Sequence, residues 1–287
     1  MIKGAYTALI TPFKNGKVDY EKLGELIEFQ VENGIDGIVI CGTTGESSTL
    51  TDKEKKKVIK YAVETVNGRV PVIAGTGSND TRHAIELSKY AERVGADGLL
   101  VVTPYYNKST QKGLIEHYSA IANSVTIPLI IYNVPTRTCV NILPDTVAKL
   151  AEIENIVGIK EASNNFSQIA ELFSKVPKDF AVISGNDDTI VPLLSLGGTG
   201  VISVLSNVYP KAVHNMCKAY FNGDLKYAKD LQLKYVNLVK LLFKEVNPMP
   251  VKDAMNILGF DVGVCRLPLT TVLEDTHELL KSELLKK

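Results

Sequence analysis

At 287 residues the chain exceeds the usual single-domain length, yet an α/β barrel of about 250 residues forms one domain, so length leaves one or two domains open. Residues of the AVILMFWYC set make up 45% of the sequence and charged residues 22%, an ordinary globular balance with material for a large core. Lys plus Arg and Asp plus Glu stand at 32 each, so no net charge draws the protein to nucleic acid or to an anionic membrane, and a small molecule is the expected partner.

The N-terminus enters a strand-like segment at Gly4 and meets Pro12, with no basic stretch, long apolar core or cleavage site of a secretory leader. No apolar run reaches the roughly 20 residues of a membrane span. Cys41, Cys139, Cys217 and Cys265 lie far apart without a C-x-x-C pair and are expected to be free thiols. A cytoplasmic location is therefore expected.

Eight short apolar runs are predicted as strands: AYTALI (5–10), GIVIC (37–41), PVIAG (71–75), GLLVV (98–102), PLIIY (128–132), IVGIK (156–160), FAVISG (180–185) and GVISV (200–204). Runs that are apolar throughout fit a parallel sheet covered on both faces. Amphipathic segments separate them. Asp19 opens one that stops at Gly34, Thr51 and Glu54 make a capping box for the next, and Pro144 with Asp145 opens another. This βα rhythm predicts a closed (β/α)8 TIM barrel, with an open doubly wound sheet as the alternative.

From about Lys211 the strand signals cease. Helices are expected over KAVHNMCKAYFNG, LKYAKDLQLKYVNLVKLLFKEV, VKDAMNILG and LTTVLEDTHELLKSELLKK. The expected division is a catalytic barrel over 1–210, its closing helix running on to about 222, and a C-terminal helical domain over 223–287.

In such barrels chemistry sits where the strands end. The ends here read CGTTGES, AGTGSND, VVTPYYN, IYNVPTR, GIKEAS and SGNDD, rich in hydroxyls and amides. In CGTTGES, Gly42 and Gly45 permit a tight turn around Thr43 and Thr44, which either cradles a small anion or simply caps the next helix. GTGSND lacks the third glycine of a nucleotide loop and LGGTG precedes its strand, so no nucleotide cofactor is expected. The four histidines have no metal-ligand spacing, and Asp187 with Asp188 more readily caps a helix than holds a cation, so no metal is expected. No G-x-S-x-G elbow is present.

Lys160 ends the sixth predicted strand. Strand parity puts Val157 and Ile159 toward the helices and Ile156, Gly158 and Lys160 inside, with Gly158 leaving space behind the lysine. A lysine in an apolar, confined site has its charged form disfavoured and offers a free amine to carbonyls. The alternative is an edge lysine that snorkels to water or pairs with Glu161. Tyr132, at the end of the preceding strand, lies where a phenol serves the proton transfers of Schiff-base chemistry.

The stretches GIVICGTTGE (37–46), YNVPTRT (132–138) and IVGIKEA (156–162), in this order and spacing, resemble the pyruvate-dependent class I lyase family, whose barrels carry a Schiff-base lysine on strand six. The resemblance covers the barrel and continues into the helical tail. It implies a pyruvate imine on Lys160, with no other cofactor, and a relay of Tyr132, Thr43 and Tyr106. It further implies that Thr43 and Thr44 hold the pyruvate carboxylate, that Arg137 engages the second substrate, and that Gly185 and Ile202 belong to the substrate site. The implied reaction condenses pyruvate with L-aspartate 4-semialdehyde to 4-hydroxy-tetrahydrodipicolinate in lysine and diaminopimelate biosynthesis. Family members such as N-acetylneuraminate lyase and the keto-deoxy sugar acid aldolases share the lysine and tyrosine and give the alternative. Tyr106 is expected to cross a tight-dimer interface in a homotetramer. The feedback site of lysine-inhibited members maps to Ser47, Leu50, Asn79 and Tyr105, with Asp52, Lys55 and His83 at its ionisable positions. Lys55 would repel a ligand ammonium and His83 removes an acidic partner, so weak or absent inhibition by L-lysine is expected.

Overall fold

The computed structural model describes residues 2–286. Strand β1 (Gly4–Ala8) is followed by a hairpin of β2 (Phe13–Lys14) and β3 (Lys17–Val18), then α1 (Tyr20–Glu32), β4 (Gly37–Ile40), α2 (Asp52–Val66), β5 (Val72–Gly75), α3 (Thr81–Arg93), β6 (Gly98–Val102), α4 (Gln111–Ala122) and β7 (Leu129–Asn133). The short α5 (Pro135–Thr138) and α6 (Pro144–Leu150) lead to β8 (Ile156–Glu161), α7 (Phe166–Lys175), β9 (Ala181–Ser184), α8 (Ile190–Ser195), β10 (Gly200–Ser203) and α9 (Pro210–Phe221). The eight long strands pair in parallel and close into a barrel in the order β1-β10-β9-β8-β7-β6-β5-β4. The eight expected strands are thus all present, and closure excludes the open doubly wound sheet.

Two apolar layers account for the all-apolar strands. One lies between strands and helices and includes Ile38, Ile40, Leu99, Val101, Ile131 and Ile159. The other fills the barrel, with Val39, Ile73, Leu100, Ile130, Tyr132, Ile183 and Ile202. Alternate residues of one strand serve opposite layers, so neither face is free for water. The predicted caps form: Asp19 accepts from Lys22 N at 3.1 Å, and Thr51 and Glu54 make the reciprocal box.

Parity fails at one place. Pairing of β7 with β8 shifts between Leu129 and Ile130, so that Leu129 faces Ile156 but Ile130 faces Gly158. The bulge takes up one residue. Ile156 therefore belongs to the outer layer and Val157 packs on the interior, the reverse of the expectation, while Ile159 and Lys160 keep theirs.

The C-terminal helices are more broken than expected. The predicted long helix divides into α10 (Leu225–Lys234) and α11 (Val236–Leu242) at Tyr235, whose ring packs 5.3 Å from that of Tyr209. Helix α12 (Met249–Ile257) follows the Asn-Pro pair at 247–248, and α13 covers only Glu274–Leu284. Thr270, Thr271 and Val272 are β-branched and stay outside α13, which begins where Glu274 and Asp275 meet its N-terminal dipole. Among the described residues no helix is long and apolar enough to cross a membrane.

Candidate active site

The register places Lys160 of β8 between Tyr132 of β7 and Ile183 of β9, all three on the inner face. Lys160 is 6% exposed, and its Nζ lies 4.4 Å from the centroid of the Tyr132 ring, whose negative face attracts it. Glu161 points to the other face, where its carboxylate accepts from Asn133 Nδ2 at 3.0 Å and from Ser163 N at 2.6 Å; burial pushes its carboxyl up. Neither edge-lysine alternative fits: Lys160 is not at the surface, and Glu161 is engaged elsewhere. A Cβ on Gly185 would stand 3.1 Å from Lys160 Cε and 2.7 Å from Ala162 Cβ, so the glycine keeps room beside the lysine. Gly158 has a different use from the expected one. Its added Cβ would meet Ala181 O at 2.5 Å, so it permits close approach of β9 and does not leave space behind the lysine. Ile202 packs in the interior layer with Ile183.

The CGTTGES loop follows β4. Its left-handed residues are Cys41 (φ 53°) and Glu46 (φ 53°), not the two glycines expected to make the turn. Gly45 is needed for proximity: a Cβ would come within 3.1 Å of Leu9 O and 3.3 Å of Thr11 Oγ1. Thr43 borders a cavity of about 280 Å³ at the barrel mouth, together with Tyr132, Arg137, Ser47, Lys55 and Tyr105. Thr44 is buried beside it, and its Oγ1 accepts from Asn247 Nδ2 at 3.0 Å.

Arg137 sits on α5, where Pro135 at the first position favours the turn and Thr138 Oγ1 donates back to Val134 O. Its guanidinium Nη2 donates to the backbone carbonyl of Asn247 at 3.2 Å. Seven of the eight predicted residues thus gather at or just below the mouth. Tyr106 does not: it is 93% exposed, in left-handed backbone at φ 69°, and projects away from its own barrel.

Asn247 was not among the residues expected from the sequence, although an Asn-Pro pair interrupting a helical stretch marks a break worth inspecting. Its segment is tied back to the CGTTGES loop. Lys252 Nζ reaches Glu46 Oε1 at 2.6 Å, both side chains being buried, and lies 4.1 Å from the Phe13 ring centroid. Arg266 N donates to Glu46 Oε2 at 2.9 Å, and the Arg266 guanidinium bonds both oxygens of Glu54, holding that carboxyl down at about 2. Loss of either Lys252 or Glu46 would leave the other as an uncompensated buried charge, which is costlier than the buried pair itself.

Of the positions assigned to a feedback site, Ser47, Lys55 and Tyr105 border the cavity, but Leu50 is buried in the layer between barrel and helices. Asp52 Oδ1 is shared by His83 Nε2 at 3.0 Å and Lys55 Nζ at 3.8 Å. Asp187 is fully enclosed and accepts from Ser203 Oγ, Val204 N and Leu205 N, so it caps the turn at 205–207 rather than the helix next to it. Among the described residues no three His, Cys, Asp or Glu side chains are grouped to hold a metal.

The family model of the Dihydrodipicolinate synthetase family matches residues 1–287. The 4-hydroxy-tetrahydrodipicolinate synthase of Acetivibrio thermocellus is 60% identical over 281 residues, which cover 98% of this chain and 96% of that protein. The crystal structure of dihydrodipicolinate synthase from Aquifex aeolicus superposes with a TM-score of 0.96 at 50% identity, covering 98% of this chain and 96% of that one. A structure of DHDPS from Cyanidioschyzon merolae with lysine bound matches at 0.96 and 42% identity, covering 99% and 97%. A barrel with a buried lysine near the end of β8, its sixth barrel strand, is thus matched end to end, and the chain belongs to the dihydrodipicolinate synthetase family.

Proposed function

We propose that this chain condenses pyruvate with L-aspartate 4-semialdehyde to 4-hydroxy-tetrahydrodipicolinate, in lysine and diaminopimelate biosynthesis, through an imine on Lys160. The observation that carries the assignment of the nucleophile is Lys160 itself, enclosed at the barrel mouth with the Tyr132 ring at 4.4 Å and Gly185 against its Cε. Its amine attacks C2 of pyruvate, and water leaves as the imine forms. The protonated imine acidifies the methyl carbon, and loss of a proton gives an enamine that bonds to the aldehyde carbon. The amino group of the second substrate then closes on the imine carbon and displaces Lys160. No metal or organic cofactor enters these steps.

Tyr132 and Thr43 border the same cavity and carry the protons, with Tyr106 of a second copy as the third member. An exposed tyrosine held in left-handed backbone and turned from its own site suits that use. The working form is then at least a dimer, and a dimer of dimers in the cytoplasm is the assembly we assign. Thr43 and Thr44 hold the pyruvate carboxylate, and Arg137 takes the carboxylate of the semialdehyde. Gly185 and Ile202 shape the floor. Arg137 on the cavity border suits a second carboxylate, which the semialdehyde carries and the polyol half of a sugar acid does not, and this disfavours the N-acetylneuraminate lyase and keto-deoxy sugar acid alternatives.

Turnover of pyruvate with the semialdehyde, measured beside N-acetylneuraminate and keto-deoxygluconate on protein whose assembly state is read by sedimentation, tests the proposal. Preference for either sugar acid would overturn it. L-Lysine is expected to inhibit weakly or not at all, because Lys55 borders the cavity and Asp52 is already engaged by Lys55 and His83. Half-inhibition at micromolar lysine in a steady-state assay would contradict this.

A further inference from the structure

We infer that Asn247 is a positioning residue, whose side-chain amide orients the Thr44 hydroxyl toward pyruvate while its backbone carbonyl independently steadies Arg137; this rests on the function proposed above. Asn247 is 5% exposed and stands 203 residues from Thr44 and 110 from Arg137, yet touches both. Its Nδ2 donates to Thr44 Oγ1 at 3.0 Å. A hydroxyl has one proton and two lone pairs, so accepting from Asn247 leaves the Thr44 proton free to be donated. The amide orientation matters here. Turned over, Oδ1 would take that proton and Nδ2 would lose its acceptor; as it stands, Nδ2 donates to Thr44 and Oδ1 is the buried amide atom without a partner.

The same residue grips Arg137 by a different atom. The guanidinium bonds the carbonyl of Asn247, which every amino acid possesses, at 3.2 Å. The two tasks are therefore separable by mutation. The Lys252–Glu46 pair and the bond from Arg266 N to Glu46 fasten the segment carrying Asn247 to the loop carrying Thr44, which fixes the distance across which the amide works.

Two variants of the full chain test this, with imine formation followed by borohydride trapping over a range of pyruvate concentrations. In Asn247→Ala the half-saturating pyruvate concentration should rise about tenfold, the scale of one lost hydrogen bond, while the semialdehyde KM stays within about twofold. In Asn247→Asp, nearly the same shape, the carboxylate takes the Thr44 proton for itself and sets a negative charge beside the pyruvate carboxylate. The shift should then exceed that of the alanine variant, on the order of 10²-fold. A packing role predicts the opposite order, the isostere being the milder change. Introducing Asn247→Ala into a Thr44→Val background should add nothing to the pyruvate shift. An aspartate variant as good as wild type, equal rises in both KM values, or full additivity with Thr44→Val would overturn the inference. If the wild-type chain itself traps no pyruvate, the proposed function fails instead, and the two failures are told apart by that control.

Discussion

Replacing Lys160 by alanine is expected to abolish the borohydride-stable adduct with pyruvate and to lower turnover by on the order of 10⁴-fold or more, since a covalent route without its nucleophile retains only binding and electrostatic assistance. A different lysine, Lys55, borders the cavity at the mouth, which gives the experiment its control. Lys55, on α2, lies 3.8 Å from Asp52 Oδ1, so its ammonium has a counter-charge in ion-pair contact. Lys55→Ala should trap pyruvate as the wild type does, and the reduced adduct should map by mass spectrometry to the peptide containing Lys160. Adduct on Lys55, or persistent trapping in Lys160→Ala, would refute the assignment of the nucleophile. Saturating pyruvate should not rescue Lys160→Ala, because the defect is in bond formation and not in occupancy.

The strands were legible because each is short, apolar throughout and bounded by glycine, proline or a capping residue, and a strand buried on both sides has no other pattern to show. Lys160 was legible for the converse reason: a charge closing such a run contradicts its surroundings. What parity misjudged was one turn of β8, where the bulge between Leu129 and Ile130 exchanges the faces of Ile156 and Val157. A bulge depends on how two strands meet, and neither strand carries it alone. The turn of CGTTGES was misjudged for a related reason. Its left-handed positions are Cys41 and Glu46, and Glu46 is held there by Lys252 and by Arg266 N, partners more than 200 residues away. Asn247 was missed for the same cause. It acts through contacts to Thr44 and Arg137 that only the closed barrel and the docked C-terminal segment bring together. Element identity was local information, whereas support of the site came from long-range contacts.

Arg137→Ala is expected to separate the two substrates. Imine formation with pyruvate should proceed within about twofold of the wild type, while kcat/KM for the semialdehyde falls by roughly 10²-fold. Two charge-assisted hydrogen bonds to a carboxylate would set a larger loss, about 3–6 kcal/mol, but Arg137 is exposed at the rim and water screens the pair, which places the expectation at the lower end. Arg137→Lys tests geometry apart from charge. An ammonium restores the attraction but not the planar fork, and it cannot hold both the Asn247 carbonyl and a bidentate carboxylate, so recovery should be partial, to within about tenfold of the wild type. Succinate semialdehyde, which keeps the carboxylate and lacks the amino group, should lose affinity in Arg137→Ala by the same factor as the natural substrate. If pyruvate trapping falls as steeply as semialdehyde turnover, Arg137 serves the shape of the whole mouth and the carboxylate is held elsewhere. If instead only the semialdehyde step suffers, the cavity holds two carboxylates by different means: the pyruvate carboxylate by the hydroxyls of the loop after β4, and the second by the guanidinium on α5.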